Sequence, residues 1–118
     1  MPDFEPYLSG WRERFAKRRL DAAATAQRAE RVARRLAQRI VDRYGARRVV
    51  LMGSLARGDF AEGSDIDLAV EGLPPDVFFS AGADIEAAAE GFSVDLVPIE
   101  SATPLFLERI REEGIALA

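Results

Sequence analysis

The chain of 118 residues contains no cysteine and no histidine. Without cysteine there is no disulfide framework, no thiolate nucleophile, no zinc ribbon and no iron–sulfur ligation, a composition that a reducing cytosol tolerates. Without histidine there is no Ser-His-Asp triad, no imidazole base and no histidine-held metal. Any catalysis must rest on carboxylates, hydroxyls, arginine and oxygen-bound cations, with Mg²⁺ or Mn²⁺ as the default metal. Asparagine is absent, glutamine occurs only at Gln27 and Gln38, and Lys17 is the one lysine among 16 basic residues. Heat adaptation and a GC-rich genome both produce that bias. No run approaches the roughly 20 apolar residues of a membrane span, and the start MPDFEP lacks the basic and apolar regions of a signal peptide. A cytoplasmic protein with no membrane association is expected.

What is present is 48% hydrophobic and 31% charged residues, the size and mix of one domain with a single modest core, taken as residues 1–118. The net charge of −4 conceals a division. Residues 1 to 48 carry 13 basic and 6 acidic side chains, a net +7; the remainder carries 3 and 14, a net −11. Such a distribution bears on partners, because summed fields steer association.

Leu8, Trp11 and Phe15 fall at helical spacing, and Ala29, Val32, Ala33, Leu36, Ala37, Ile40, Val41 and Tyr44 repeat at three and four, predicting one long amphipathic helix stopped by Gly45. Its opposite stripe, Arg28, Arg31, Arg35 and Arg39, points away from the core face, as a solvated face or a docking surface. Val49 to Met52 reads as a buried strand ended by Gly53, with Ser54 capping a short helix through Arg57. A turn from Asp59 to Ser64 leads to a second strand, Asp65 to Val70. A helix over about residues 76 to 90, with Phe78, Phe79, Ile85 and Ala89 inward, closes at Gly91. A third strand, Phe92 to Val97, follows. The last helix has Thr103 as N-cap, Pro104 at its first position and Phe106, Leu107 and Ile110 inward; Gly114 stops it, and Ile115 to Leu117 can add a terminal strand. The order predicts an α+β layer fold.

Chemistry concentrates in GSLARGDFAEGSDIDLAV. Alternation along a strand puts Ile66, Leu68 and Val70 on one face and Asp65 and Asp67 on the other. Two like charges side by side disfavour each other's ionisation, and a divalent cation with hard oxygen ligands compensates them. Gly53 and Ser54, between a strand and a helix, offer unpaired backbone N–H groups, a hydroxyl and room for a phosphate; Arg57 can reach it with a planar fork. Asp95, in VDLV, leaves its strand on the face opposite Val94 and Leu96. If that strand neighbours the second, three carboxylates converge, a donor set for two cations in phosphoryl or nucleotidyl transfer.

Gly53-Ser54, ten residues, Asp65, one residue, Asp67 resembles the signature of the minimal nucleotidyltransferases (MNT) of the DNA polymerase β-like superfamily. Arg57-Gly58, Ser64-Asp65 and Asp67-Leu68, VDLV with Asp95, and IREEGIAL extend the likeness over roughly residues 30 to 118, leaving 1–29 as a helical extension outside it. The resemblance implies a nucleotidyltransferase fold, a mixed central sheet with helices packed against it. It implies Asp65 and Asp67 as Mg²⁺ (or Mn²⁺) ligands, Asp95 as third ligand and candidate base, and Gly53 and Ser54, with Arg57 and Ser64, at the nucleotide. Pro98 and Ile99 depart from a pattern in which polar or acidic residues follow the third acidic strand. The implied reaction moves NMP, AMP from ATP in the leading reading, to a hydroxyl. No acceptor-binding domain is expected, and small members of this kind resemble antitoxins paired with HEPN-domain toxins, modifying a partner tyrosine. The alternatives are a small-molecule or RNA nucleotidyltransferase completed by another subunit, with nucleic acid the less favoured partner, and an antitoxin that neutralises by binding alone.

Overall fold

The computed structural model describes residues 5–118, and side chains from residue 10 onward; the first four residues of the MPDFEP start and the Leu8 side chain lie outside what is so described. Helix α1 runs Glu5–Tyr44, strand β1 Arg48–Met52, helix α2 Gly53–Arg57, strand β2 Ile66–Glu71, helix α3 Pro75–Ala87, strand β3 Val94–Pro98, helix α4 Pro104–Glu113 and strand β4 Ile115–Ala116, with a 3₁₀ turn at Ile99–Ser101. The strands form one mixed sheet in the order β3-β2-β1-β4. β1 runs antiparallel to β2 and β4, and β2 runs parallel to β3.

Period-two alternation divides the core between the two faces of the sheet. On one face Val49, Leu51, Ile66, Leu68 and Val70 pack with Val32, Leu36 and Ile40 of α1 and Ile85 of α3. On the other, Val50, Met52 and Ala69 pack with Ile99 and with Ile110 of α4. Burial of each large aliphatic side chain contributes about 1.5–3 kcal/mol. α1 stops as expected: Gly45 adopts φ +76 and its N–H donates to the Val41 carbonyl at 3.0 Å. Thr103 caps α4, accepting from the Phe106 N–H at 3.2 Å.

Several sequence expectations are corrected. Ser54 is not a cap: α2 begins one residue earlier, behind Met52, with no side-chain cap. Asp65 is the last residue of the turn, and β2 starts at Ile66. Phe79 is 80% exposed, because residues adjacent on a helix lie about 100° apart and Phe78 already takes the inward position. Leu107 is exposed beside the half-buried Phe106 for the same reason. α3 ends at Ala87 rather than near residue 90, and Glu90 and Gly91 both take left-handed conformations in the turn that follows. β3 accordingly begins at Val94.

The arginine stripe of α1 is largely engaged within the molecule. Arg39 donates to both carboxylate oxygens of Asp84 at 2.8 and 2.7 Å, Arg35 pairs with Glu90, and Arg28 lies over the Phe92 ring at 5.0 Å. Tyr44 donates to Asp84 at 2.9 Å. The stripe fastens α1 to α3 and to the turn before β3. A helix of 40 residues is about 60 Å long, and it sets the longest dimension of the molecule, 69 Å. Its N-terminal end projects as an arm, while Arg18, Asp21, Ala22 and Thr25 line a pocket with Phe60, Ala61 and Glu62 of the turn before β2. Among the described residues no helix is long and apolar enough to cross a membrane.

Candidate active site

At the end of β1 the chain turns at Gly53, φ +70, into α2. The antiparallel register places Met52 opposite Asp67, and the parallel register places Asp67 opposite Asp95. Because Ile66, Leu68 and Val70 are at most 1% exposed on the α1–α3 face, Asp67 necessarily projects from the other face. Val94 and Leu96 pack inward likewise, and Asp95 points out. Asp65, Asp67 and Asp95 line one pocket of about 470 Å³, together with Gly53, Ser54, Arg57 and Ser64. All seven residues singled out from the sequence are thus brought to one place.

Contacts of Gly53, Ser64 and Arg57 define its local geometry. A Cβ at position 53 would collide with the Asp67 carboxylate, so only glycine lets the backbone close over that group. The Ser64 hydroxyl accepts from the Ala61 N–H at 3.0 Å and its own N–H donates to the Ala61 carbonyl at 3.0 Å, closing the turn that delivers Asp65. Arg57 lies 3.6 Å from Asp59 and 3.7 Å from Glu113, held at the rim.

Burial pushes the half-buried Asp67 carboxyl above its ordinary range, and the neighbouring charges of Asp95 and Asp65 push it further, against a smaller opposing pull from Arg57. The site is therefore short of positive charge. Among the described residues no three acidic side chains are gathered closely enough to form a ready-made metal cluster. The expected convergence holds for the pocket and not for a closed ligand shell. Oxygen donors alone, two of them on exposed side chains and one carrying uncompensated charge, suit Mg²⁺ or Mn²⁺.

The pocket also has a wall that sequence reasoning missed as a functional element. Phe106, Arg109 and Glu113 of α4 line it. Their spacing of three and four marks one helix face and is visible in the sequence. That this face meets the acidic strands depends on the strand order.

The profile of the nucleotidyltransferase domain family matches residues 33–117. No curated protein is significantly similar to the chain. Among solved structures, a candidate minimal nucleotidyltransferase is 32% identical, with a TM-score of 0.61 and 72% of this chain and 89% of that one covered. A chain of a toxin–antitoxin complex with AMP-PNP is 22% identical, TM-score 0.63, with 72% of each chain covered. A chain of the complex of tri-AMPylated Shewanella oneidensis HEPN toxin with MNT antitoxin is 20% identical, TM-score 0.52, covering 73% of this chain and 71% of that one.

Proposed function

This chain belongs to the nucleotidyltransferase domain family, and we propose from that premise that it transfers AMP from ATP to a tyrosine hydroxyl of a HEPN-domain toxin, acting as the toxin's antitoxin. The observation that carries the reading is the register pairing of Asp67 with Asp95, with Gly53 closed over Asp67 at the mouth of β1. The complexes formed by its structural neighbours support the choice of partner.

In this reading the Gly53 N–H, the Ser54 hydroxyl and the Arg57 guanidinium bind the triphosphate. Ser64 keeps the turn closed so that Asp65 faces the pocket. Asp65, Asp67 and Asp95 would hold the divalent cation, which when bound neutralises phosphate charge in a site that is otherwise acidic. The acceptor oxygen attacks the α-phosphorus, the bond from that phosphorus to the α,β-bridging oxygen breaks, and pyrophosphate leaves. Asp95, exposed at the edge strand, takes the acceptor's proton.

Intact-mass spectrometry tests this directly. The product of the adjacent reading frame, incubated with this protein, ATP and Mg²⁺, should gain one or more AMP units, and the gain should vanish with Asp65→Ala. Association without any mass gain would assign neutralisation to binding. Absence of both mass gain and association would assign the acceptor to small molecules or RNA.

A further inference from the structure

We propose that the projecting arm of α1 is an association surface for a second copy of this chain, its basic aromatic face packing on the acidic outer face of α3. The proposal is independent of the catalytic reading.

The arm continues a buried face into solvent. Ala29, Ala33, Leu36 and Ile40 are at most 2% exposed where α1 crosses the sheet. Stepping back from Ala29 by three and four residues along the same face leads to Ala26, Ala22, Phe15 and Trp11. Trp11 and Phe15 stack with ring centroids 5.7 Å apart, yet are 60% and 52% exposed. An aromatic pair on an otherwise arginine-rich helix leaves apolar surface in water unless another element covers it. Arg12, Arg14, Lys17, Arg18 and Arg19 flank the pair and form no ion pair with any described side chain.

The complementary surface lies in the same molecule. No lysine or arginine occurs from Gly58 to Glu108. On α3, Asp76, Phe79, Ala83 and Glu86 share one exposed helix face, with Phe79 at 80% exposure and neither carboxylate in an ion pair with any described side chain. This face presents one aromatic side chain and two carboxylates, where the arm presents two aromatics and five cations. Two arms would repel each other. Nor can the arm reach its own α3, because Arg35 and Arg39 already hold that helix against the other half of α1. Trp11 lies about 36 Å further along the continuous helix axis from Arg35. A second copy satisfies these constraints, and a two-fold pair makes the contact twice, toward the roughly 1,200–2,000 Å² of a stable interface. Asp67 and Asp95 project from the opposite face of the sheet, so the pairing leaves the pocket open.

Sedimentation equilibrium on the full chain at micromolar concentration should give twice the 13.0 kDa chain mass, with dissociation promoted by salt. Trp11→Ala with Phe15→Ala should weaken association more than tenfold without changing the circular dichroism, since both side chains are exposed. Arg12→Glu with Arg19→Glu, and separately Asp76→Arg with Glu86→Arg, should each give monomers, and mixing these two variants should restore the dimer. A wild-type chain that stays monomeric would overturn the proposal, as would a dimer indifferent to either pair of charge reversals, or no recovery on mixing. A monomer that instead retards a single-stranded oligonucleotide through the arm would overturn it in favour of nucleic acid.

Discussion

Gly53 and Asp67 are coupled through space, and substitutions at the two act in different ways. A side chain at 53 meets a left-handed backbone and the Asp67 carboxylate together. Gly53→Ala should cost about 1–2 kcal/mol in backbone strain alone, read by chemical denaturation. By displacing the carboxylate it should also lower the transfer rate by on the order of 100-fold, read by initial rates. Asp67→Asn should separate activity from stability. Because burial and two neighbouring carboxylates raise the folded-state value of Asp67, the ionised group destabilises the metal-free fold. That penalty is full above the raised value and disappears as pH falls below the unfolded one. Asp67→Asn should therefore raise the melting temperature of metal-free protein at neutral pH and abolish transfer, whereas a variant that melts lower would show the carboxylate to be structurally stabilising.

Between elements, one carboxylate joins α1 to α3. The hydrogen bonds from Arg39 lower Asp84 to about 2, with Tyr44 donating to the same group. A carboxylate lowered on folding stabilises the fold above its unfolded value, about 3.9, and loses that contribution as pH falls toward the folded value. Wild-type stability should drop between about pH 4 and 2, and Asp84→Asn should be less stable at pH 6 with a flatter profile across that window, followed by urea denaturation at each pH. The same clamp explains why an arginine stripe that reads in the sequence as a solvated face or a docking surface is mostly committed inside the protein. Periodicity identifies the stripe; only the position of α3 shows what it meets.

For the molecule as a whole, ligand and fold should be linked. A nucleotide–metal complex that binds only the native state stabilises it by about 2.7 kcal/mol at 100 times its Kd. ATP with Mg²⁺ should raise the melting temperature and Asp67→Ala should reduce that rise, measured by differential scanning fluorimetry; an undiminished rise would place the cation away from the acidic strands. The molecule's charge also divides along its architecture. The basic half is the long helix and its exit, and the acidic half holds the strands, the pocket and α3.

Element order is legible in the sequence, because the three-and-four spacing of α1 and the two-residue alternation of IDLAV are local properties of the backbone. The sequence also carries the exit of Asp67 and Asp95 from the faces opposite their aliphatic neighbours, and the change from strand to helix at Gly53 and Ser54, though not the residue at which the helix starts. Tertiary structure decided what local periodicity cannot carry. The parallel pairing of β2 with β3 set Asp67 opposite Asp95 across about 28 residues of chain, a separation that no local pattern encodes. It turned the Phe106–Arg109–Glu113 face of α4 into a pocket wall, and sent Phe79 and Leu107 outward when adjacent residues filled the inward positions. Such choices depend on which surfaces pack together, and packing is a property of the whole chain rather than of any segment.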